Sequence, residues 1–327
     1  MFVRVGEELR KLYQNAKKGG YAFVASNVTE PNTMIGLIEG AERSKSDLVL
    51  QLSRSACEFA GDGDAVAGLR SLGNYMENIA DGRDIGVFLN MDHLQDLDFI
   101  REAVETGTPS SVMIDASEKE FEDNVEKSKK IVELCEGENV LVEAELGRIK
   151  GSEDGVSSQE SYYTDPEKAC EFVERTGCDL LAISIGTQHG VSKGKDLNLR
   201  MDIAERVDKK LRKEGLERPL VIHGSSGLTH GQMEELVGKG VCKFNKDTRY
   251  QYEYAKTALE FYREHEESIL PEEKSKASNE VFAESGWSPN KDHFDPRVVS
   301  RKIRERISEV IQELNEVTGS RGKSLYI

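Results

Sequence analysis

The sequence predicts an α/β protein, a (β/α)8 TIM barrel with extra C-terminal helices, from three observations. Eight short apolar runs alternate with polar, helically periodic stretches, a strand-then-helix order that implies parallel strands joined by right-handed crossovers. Three of the six histidines, His93, His189 and His223, stand at the ends of such runs, where parallel barrels gather their functional side chains. The length of 327 residues suits one barrel, so the chain is read as a single domain, 1–327, with 248–327 as a helical C-terminal extension. A doubly wound open sheet is the alternative, disfavoured because no Gly-x-Gly-x-x-Gly turn follows the first run.

In order, the predicted strands are Tyr21 to Val28, Asp47 to Ser53, Ile85 to His93, Ser111 to Ser117, Asn139 to Gly147, Leu180 to Gly186, Pro219 to Ser225 and Val241 to Asp247. Helical periodicity fills Asp96 to Thr106, Glu118 to Glu136, Asp165 to Gly177, Leu199 to Gly215 and Thr229 to Gly240 between them. After the eighth strand, Tyr250 to Glu267 is aromatic and charged at helical spacing. Pro271 to Asp295 is a polar excursion. Val298, Ile303, Ile307, Val310, Ile311 and Leu314 form the apolar stripe of a last amphipathic helix, suited to pack on the barrel or on a partner subunit.

A net charge of -16 and a pI near 5.0 argue against a nucleic-acid or anionic-membrane surface, so an anionic substrate must be held by a local set of donors. Cys57, Cys135, Cys170, Cys178 and Cys242 are odd in number and form no Cys-x-x-Cys pair, which fits buried, reduced thiols. The first residues lack a signal-peptide core and no run is long enough to span a bilayer, so the expected location is the cytoplasm.

Three neutral imidazoles with an open fourth position describe a catalytic zinc-type site. Asp92, directly before His93, is placed to carry a proton beside a metal-held substrate, or else is one half of a loop capping pair. Glu143 and Glu145 share one face of the fifth strand, and acids buried there are costly unless they bind cations or carry protons. Asp115 is either a further metal position or the N-cap of the next helix. Gly151 to Gly155 has the composition of an active-site loop or of a plain surface turn. His230, His265 and His293 fall in helical or loop stretches and are assigned to the surface. Two stretches suit a phosphate: His223-Gly224-Ser225-Ser226-Gly227, whose small residues let an anion reach the main chain, and Asn245-Lys246-Asp247-Thr248, which adds donors and a hydroxyl.

Taken together, these stretches resemble the class II (zinc-dependent) fructose-bisphosphate aldolases, from about Ala22 to the C-terminal helix. The resemblance is carried by Asp92-His93, Val112-Met113-Ile114-Asp115-Ala116-Ser117, Glu143-Ala144-Glu145-Leu146-Gly147 followed by Glu153-Asp154-Gly155, Gly186-Thr187-Gln188-His189-Gly190-Val191, and the two phosphate stretches. Phe294-Asp295-Pro296-Arg297-Val298 is similar to the class IIA branch. The resemblance implies zinc on His93, His189 and His223, with Asp115 and Glu145 offering a second divalent position. It implies that Asp92 shuttles the C4 hydroxyl proton and Glu153 the C3 proton, with zinc stabilising the enediolate in place of a lysine Schiff base. Asn27 lies near the substrate in the family. Gly190, Gly224, Ser226, Asp247 and Thr248, together with Asn245, match positions for phosphate or substrate hydroxyls, and Ser53 one for the distal half. It further implies a monovalent cation (K+ or Na+) by the phosphate loop, and a homodimer in which Arg297 reaches the distal phosphate of the neighbouring site.

Three departures bear on the substrate. Arg54 or Ser55 stands where the family usually has a glycine, with an arginine there expected to alter the phosphate pocket; Ser225 replaces glycine or alanine, and Leu94 a common cysteine. The expected reaction is reversible cleavage of fructose 1,6-bisphosphate, with tagatose 1,6-bisphosphate as the nearest alternative substrate and a non-catalytic sugar-phosphate-binding barrel as the remaining one. A Schiff-base mechanism would need an interior lysine near the sixth strand, and Ala182 to His189 has none. Lys243 is the one suspect nearby, and alternation is taken to turn it outward.

Overall fold

A computed structural model of the chain describes residues 1–153, 156–158, 162–191, 196–272, 278–283 and 286–327, without the side chains of 152, 153 and 156–158. Eight parallel strands close a ring: β1 (Phe23–Asn27), β2 (Leu48–Ser53), β3 (Val87–Leu94), β4 (Ser111–Ile114), β5 (Leu141–Leu146), β6 (Leu180–Ile183), β7 (Leu220–Ile222) and β8 (Val241–Lys246). Each pairs with its neighbours in chain order, and β8 pairs back onto β1 through Lys243 to Phe23 and Lys246 to Ser26. This is the predicted (β/α)8 barrel, and closure leaves the main ring no exposed edge. All eight predicted strands are present, most of them shorter than predicted, while β3 runs one residue past its predicted end to Leu94.

The crossover helices follow from capping and from amphipathic spacing. Asp96 caps Leu97–Glu105 through the backbone N–H groups of Asp98 and Phe99, Asp165 caps Pro166–Thr176, and Thr229 with Gln232 forms a capping box at His230–Val237. Gly177, at φ 73°, closes the helix that Asp165 opens, a left-handed position that glycine takes without strain.

The polar excursion contains the short helices Ser278–Ala283 and Lys291–Phe294. The final helix, Pro296–Val317, buries Val299, Ile303, Ile307, Val310, Ile311 and Leu314. Its stripe packs on the barrel helix Pro31–Ser44, and Gly40 sets the spacing: a Cβ there would lie 2.4 Å from Ile311 Cγ2 and 2.4 Å from the Ser308 carbonyl oxygen.

No helix was expected before the first barrel strand. Gly6–Gly19 lies across the strands' amino ends, inserting Leu9, Leu12, Tyr13 and Ala16 among Phe23, Val49, Phe88, Leu141, Leu180 and Val221. The barrel floor is therefore apolar, and the carboxyl ends of the strands are the end where functional side chains are expected. The five cysteines are free and buried, as expected.

Candidate active site

Asp92 and His93 are consecutive, so a regular strand would send them to opposite faces. Here the β3–β4 register shifts between Met91 and Leu94, and His93 has φ 49°. This local break turns the imidazole inward beside the Asp92 carboxylate, the kind of re-aiming for which strand irregularities are found at active sites. Both side chains are buried, with His93 Nδ1 3.1 Å from Asp92 Oδ2.

His223 directly follows β7. His189 does not sit at a strand end as predicted: β6 stops at Ile183, and the histidine rides on the following loop. That loop is held by the His189 backbone N–H donating to the Lys150 carbonyl at 2.9 Å. It is also held by Gly224, φ 61°, where a Cβ would lie 2.7 Å from the Gln188 backbone. The three imidazoles nonetheless converge, with ring centroids separated by 5.0 Å (His93–His189), 4.6 Å (His93–His223) and 6.3 Å (His189–His223).

A hydrogen-bonded network surrounds them. Gln51 Nε2 donates to Asn27 Oδ1 at 2.9 Å, and Asn27 Nδ2 donates to Asp92 Oδ2 at 3.0 Å. Asn245 Nδ2 donates to Asp92 Oδ1 at 3.1 Å and lies 3.0 Å from His223 Nδ1. Burial works against ionisation of Asp92, but the neighbouring His93, with His223 and Lys243, overrides it and holds the carboxyl well below the usual carboxylate range. Burial lowers the His223 pKa despite its carboxylate neighbour, favouring the neutral imidazole that a metal requires.

Glu145 and Asp115 line one small cavity with His189. Glu145 Oε2 is buried with no hydrogen-bond partner among the described residues, and burial, with Asp115 next to it, raises its pKa well above the ordinary value. The helix after β4 begins at Phe121 behind Glu120, so Asp115 is not its N-cap. Its Oδ1 instead accepts from Ser117 N and Oγ, at 3.1 and 2.7 Å.

Donor atoms of Asp92, His93 and His223 all lie within 4.8 Å of one another. With a neutral imidazole and an adjoining carboxylate, this donor set fits a divalent cation; His189 and Glu145 are not in that group of donor atoms, and His189 approaches it through its ring, 5.0 Å from that of His93.

The expected outward turn of Lys243 is wrong. It shares the inward face with Asn245, 1% exposed, and donates to Glu143 Oε2 at 2.6 Å. The partner lies 100 residues away in sequence, so alternation on one strand could not reveal it. Glu143, in turn, reaches His223 Nε2 at 2.7 Å.

Gly224 precedes a short 3-10 turn, Ser225–Gly227, that carries Ser226. Ser225 donates from Oγ to the Asn245 carbonyl at 2.5 Å, and Lys246 Nζ donates to the Ser225 carbonyl, so the serine departure ties the two phosphate stretches together. Gly190 has φ 76° on the His189 loop. Thr248 begins the helix Thr248–Glu264 next to Asp247, whose carboxylate accepts from Gln251. Asn27 and Asp247 line a cleft of about 450 Å³ with Phe59 and Tyr250, a volume suited to a small ligand.

Ser53 caps the helix Arg54–Ala60 through Ala56 N. Arg54 is pinned by Glu58 and Asp96, both at 2.8 Å, over the Phe99 ring. Its guanidinium pairs with surface carboxylates in this structure. Arg297 is 76% exposed and pairs with Asp295. The backbone of Gly151–Glu153 pairs antiparallel with Val156–Ser158 as a hairpin, while the side chain of Glu153 lies outside the described residues.

The D-tagatose-1,6-bisphosphate aldolase subunit GatY of Klebsiella oxytoca is 34% identical over 267 residues, 80% of this chain and 88% of that protein. Among solved structures, the fructose-bisphosphate aldolase (Fba) of Campylobacter jejuni superposes with a TM-score of 0.83 at 25% identity, over 99% of this chain and 97% of that one. The YdjI aldolase of Escherichia coli K12 does so with a TM-score of 0.72 at 26% identity, over 99% and 100%. Residues 7–323 match the family described as fructose-bisphosphate aldolase class-II, and the chain belongs to that family of lyases.

Proposed function

We propose that the protein is a metal-dependent aldolase that reversibly cleaves fructose 1,6-bisphosphate to dihydroxyacetone phosphate and glyceraldehyde 3-phosphate, in glycolysis and gluconeogenesis. The observation that carries this reading is the convergence of three imidazoles beside the buried Asp92 carboxylate at the barrel mouth. His93, His189 and His223 hold the catalytic divalent ion, zinc, and Asp115 with Glu145 a second cation position. Held there, the ion supplies Lewis acidity that favours negative charge on the C2 oxygen of the ketose.

The remaining work belongs to the chain. Asp92, ionised and fixed on both oxygens by Asn27 and Asn245, takes the C4 hydroxyl proton. The O–H electron pair becomes the new aldehyde bond as the C3–C4 pair passes onto C3 and the C2 carbonyl. Glu153 then delivers a proton to C3 and releases the triose phosphate. Gly190, Gly224, Ser226, Asn245, Asp247 and Thr248 bind the proximal phosphate and hydroxyls, with a monovalent cation beside them, and Ser53 contacts the distal half.

Arg297, exposed at the start of the last helix, reaches the distal phosphate of a neighbouring site in a homodimer. The enzyme works in the cytoplasm.

Tagatose 1,6-bisphosphate, which differs at C4, is the second reading, favoured by the name of the GatY relative. The deciding experiment is cleavage of each bisphosphate by purified protein, before and after chelation and zinc addition, with triose phosphate read by a coupled assay. Loss on chelation and recovery with zinc is expected, with fructose 1,6-bisphosphate the better substrate by kcat/KM. Activity that survives chelation but is destroyed by borohydride with substrate would overturn the metal reading.

A further inference from the structure

Beneath the imidazoles, the barrel interior holds an ion pair that the proposed reaction does not use. Lys243 Nζ donates to Glu143 Oε2 at 2.6 Å, and Glu143 Oε1 stands 2.7 Å from His223 Nε2. All three side chains are at most 1% exposed. A buried ion pair is a poor stabiliser, since apolar side chains of similar volume do as well or better. The floor of this same barrel is built that way, from Phe23, Val49, Phe88, Leu141, Leu180 and Val221. Charge in the next layer up therefore calls for a reason other than packing, and what it touches is the back of an imidazole.

With Nε2 facing Glu143, the His223 ring is fixed in direction, and Nδ1 is the nitrogen left to act as a donor to a cation, with Asn245 Nδ2 3.0 Å from it in the structure. A carboxylate behind an imidazole strengthens it as a donor through its other nitrogen. Lys243 fixes that carboxylate in turn: it takes Oε2, so the group can neither rotate away from His223 nor swing into the cation position itself. The chain Lys243–Glu143–His223 joins β8, β5 and β7, three separate walls of the barrel.

We propose that Glu143 and Lys243 are a positioning pair for the metal site, setting the orientation and donor strength of His223 without touching substrate. This rests on His223 being a metal ligand, as stated under Proposed function.

The test is metal affinity, measured without turnover. Apoprotein is titrated with zinc against a chromophoric chelator, and the cobalt form is read by its visible absorption, which reports the ligand field. The variants are E143Q, K243M and the double variant E143Q/K243M. Each single change leaves one buried charge unpaired and lowers Tm. The double change leaves none, keeps an amide oxygen facing His223, and carries the comparison if a single variant fails to fold.

Zinc affinity about 10–100-fold below wild type in the double variant, with a shifted cobalt spectrum and Tm close to wild type, is the expected result. Wild-type affinity and an unchanged spectrum in the double variant would show the pair to be structural only, and would overturn the proposal while leaving the ligand assignment standing. A wild-type protein that binds no zinc would instead overturn the ligand assignment itself.

Discussion

Asp92 is bound from three directions before any substrate arrives, by Asn27, Asn245 and His93. Those contacts aim the carboxylate, and His93, with His223 and Lys243, favours its ionised form against the effect of burial, which is what a proton acceptor at the barrel mouth requires. D92N keeps the side chain's size and removes its ability to take a proton. Its kcat should fall about 10²–10⁴-fold with KM changed far less, as measured by steady-state cleavage of fructose 1,6-bisphosphate. A D92N enzyme with near wild-type kcat would assign the proton transfer elsewhere. The histidines and Asp92 were legible in sequence because each follows or ends an apolar run. Glu143 and Lys243 were only half legible. The Glu-Ala-Glu alternation put Glu143 inward, but its partners lie on β7 and β8, and only closure of the barrel brings them together. Likewise nothing in the letters Asp-His announces the φ of 49° that turns both side chains to one side.

Among the elements, strands and crossover helices were readable because period-two and period-3.6 patterns with caps are local. Gly6–Gly19 carries the same signal in Leu9, Leu12, Tyr13 and Ala16, but with no strand before it, the strand-then-helix alternation gave it no place. The helices Thr248–Glu264 and Pro296–Val317 are linked by one buried acid. Glu253 forms an ion pair with Arg249 at 3.0 Å and accepts from Arg306 Nε at 2.9 Å. Arg306, through its hydrogen bond, does most to lower the Glu253 pKa below the ordinary 4.5. Glu253 therefore binds fewer protons folded than unfolded. Its contribution to stability is complete above about pH 4.5 and is lost as pH falls through the depressed folded value. E253Q should cost on the order of 2 kcal/mol at pH 7, and the difference from wild type should shrink as pH drops below that window. Urea unfolding at pH 7 and in the acid range checks it. A gap that stays constant with pH would mean that packing, not charge, joins the two helices.

At the scale of the whole molecule, the barrel divides its labour between two ends, and both chain termini are tied down at the end away from the imidazoles. Phe2–Val3 pair with the start of β3, and the Met1 ammonium donates to the Arg83 and Ile85 carbonyls. The last residues fold back onto Asp47, just before β2. Its Oδ1 accepts from Gly86 N at 2.7 Å and Ser324 Oγ at 2.6 Å, and its Oδ2 from Leu325 N at 2.8 Å. One carboxylate thus fastens the C-terminal tail to the approach to β3. D47A leaves two backbone N–H groups and a hydroxyl without their acceptor. At about 1–3 kcal/mol for a buried donor so orphaned, the expected cost is about 3 kcal/mol, seen as a lower urea midpoint. Activity should not follow. Asp92, the imidazoles and the phosphate stretches sit at the opposite mouth, and sites that share no partners act almost independently. Folded D47A should therefore retain kcat/KM within about threefold of wild type at a temperature well below its Tm. A loss of kcat/KM by tenfold or more with an unchanged urea midpoint would mean that the tail's attachment at the floor is transmitted through the barrel to the site.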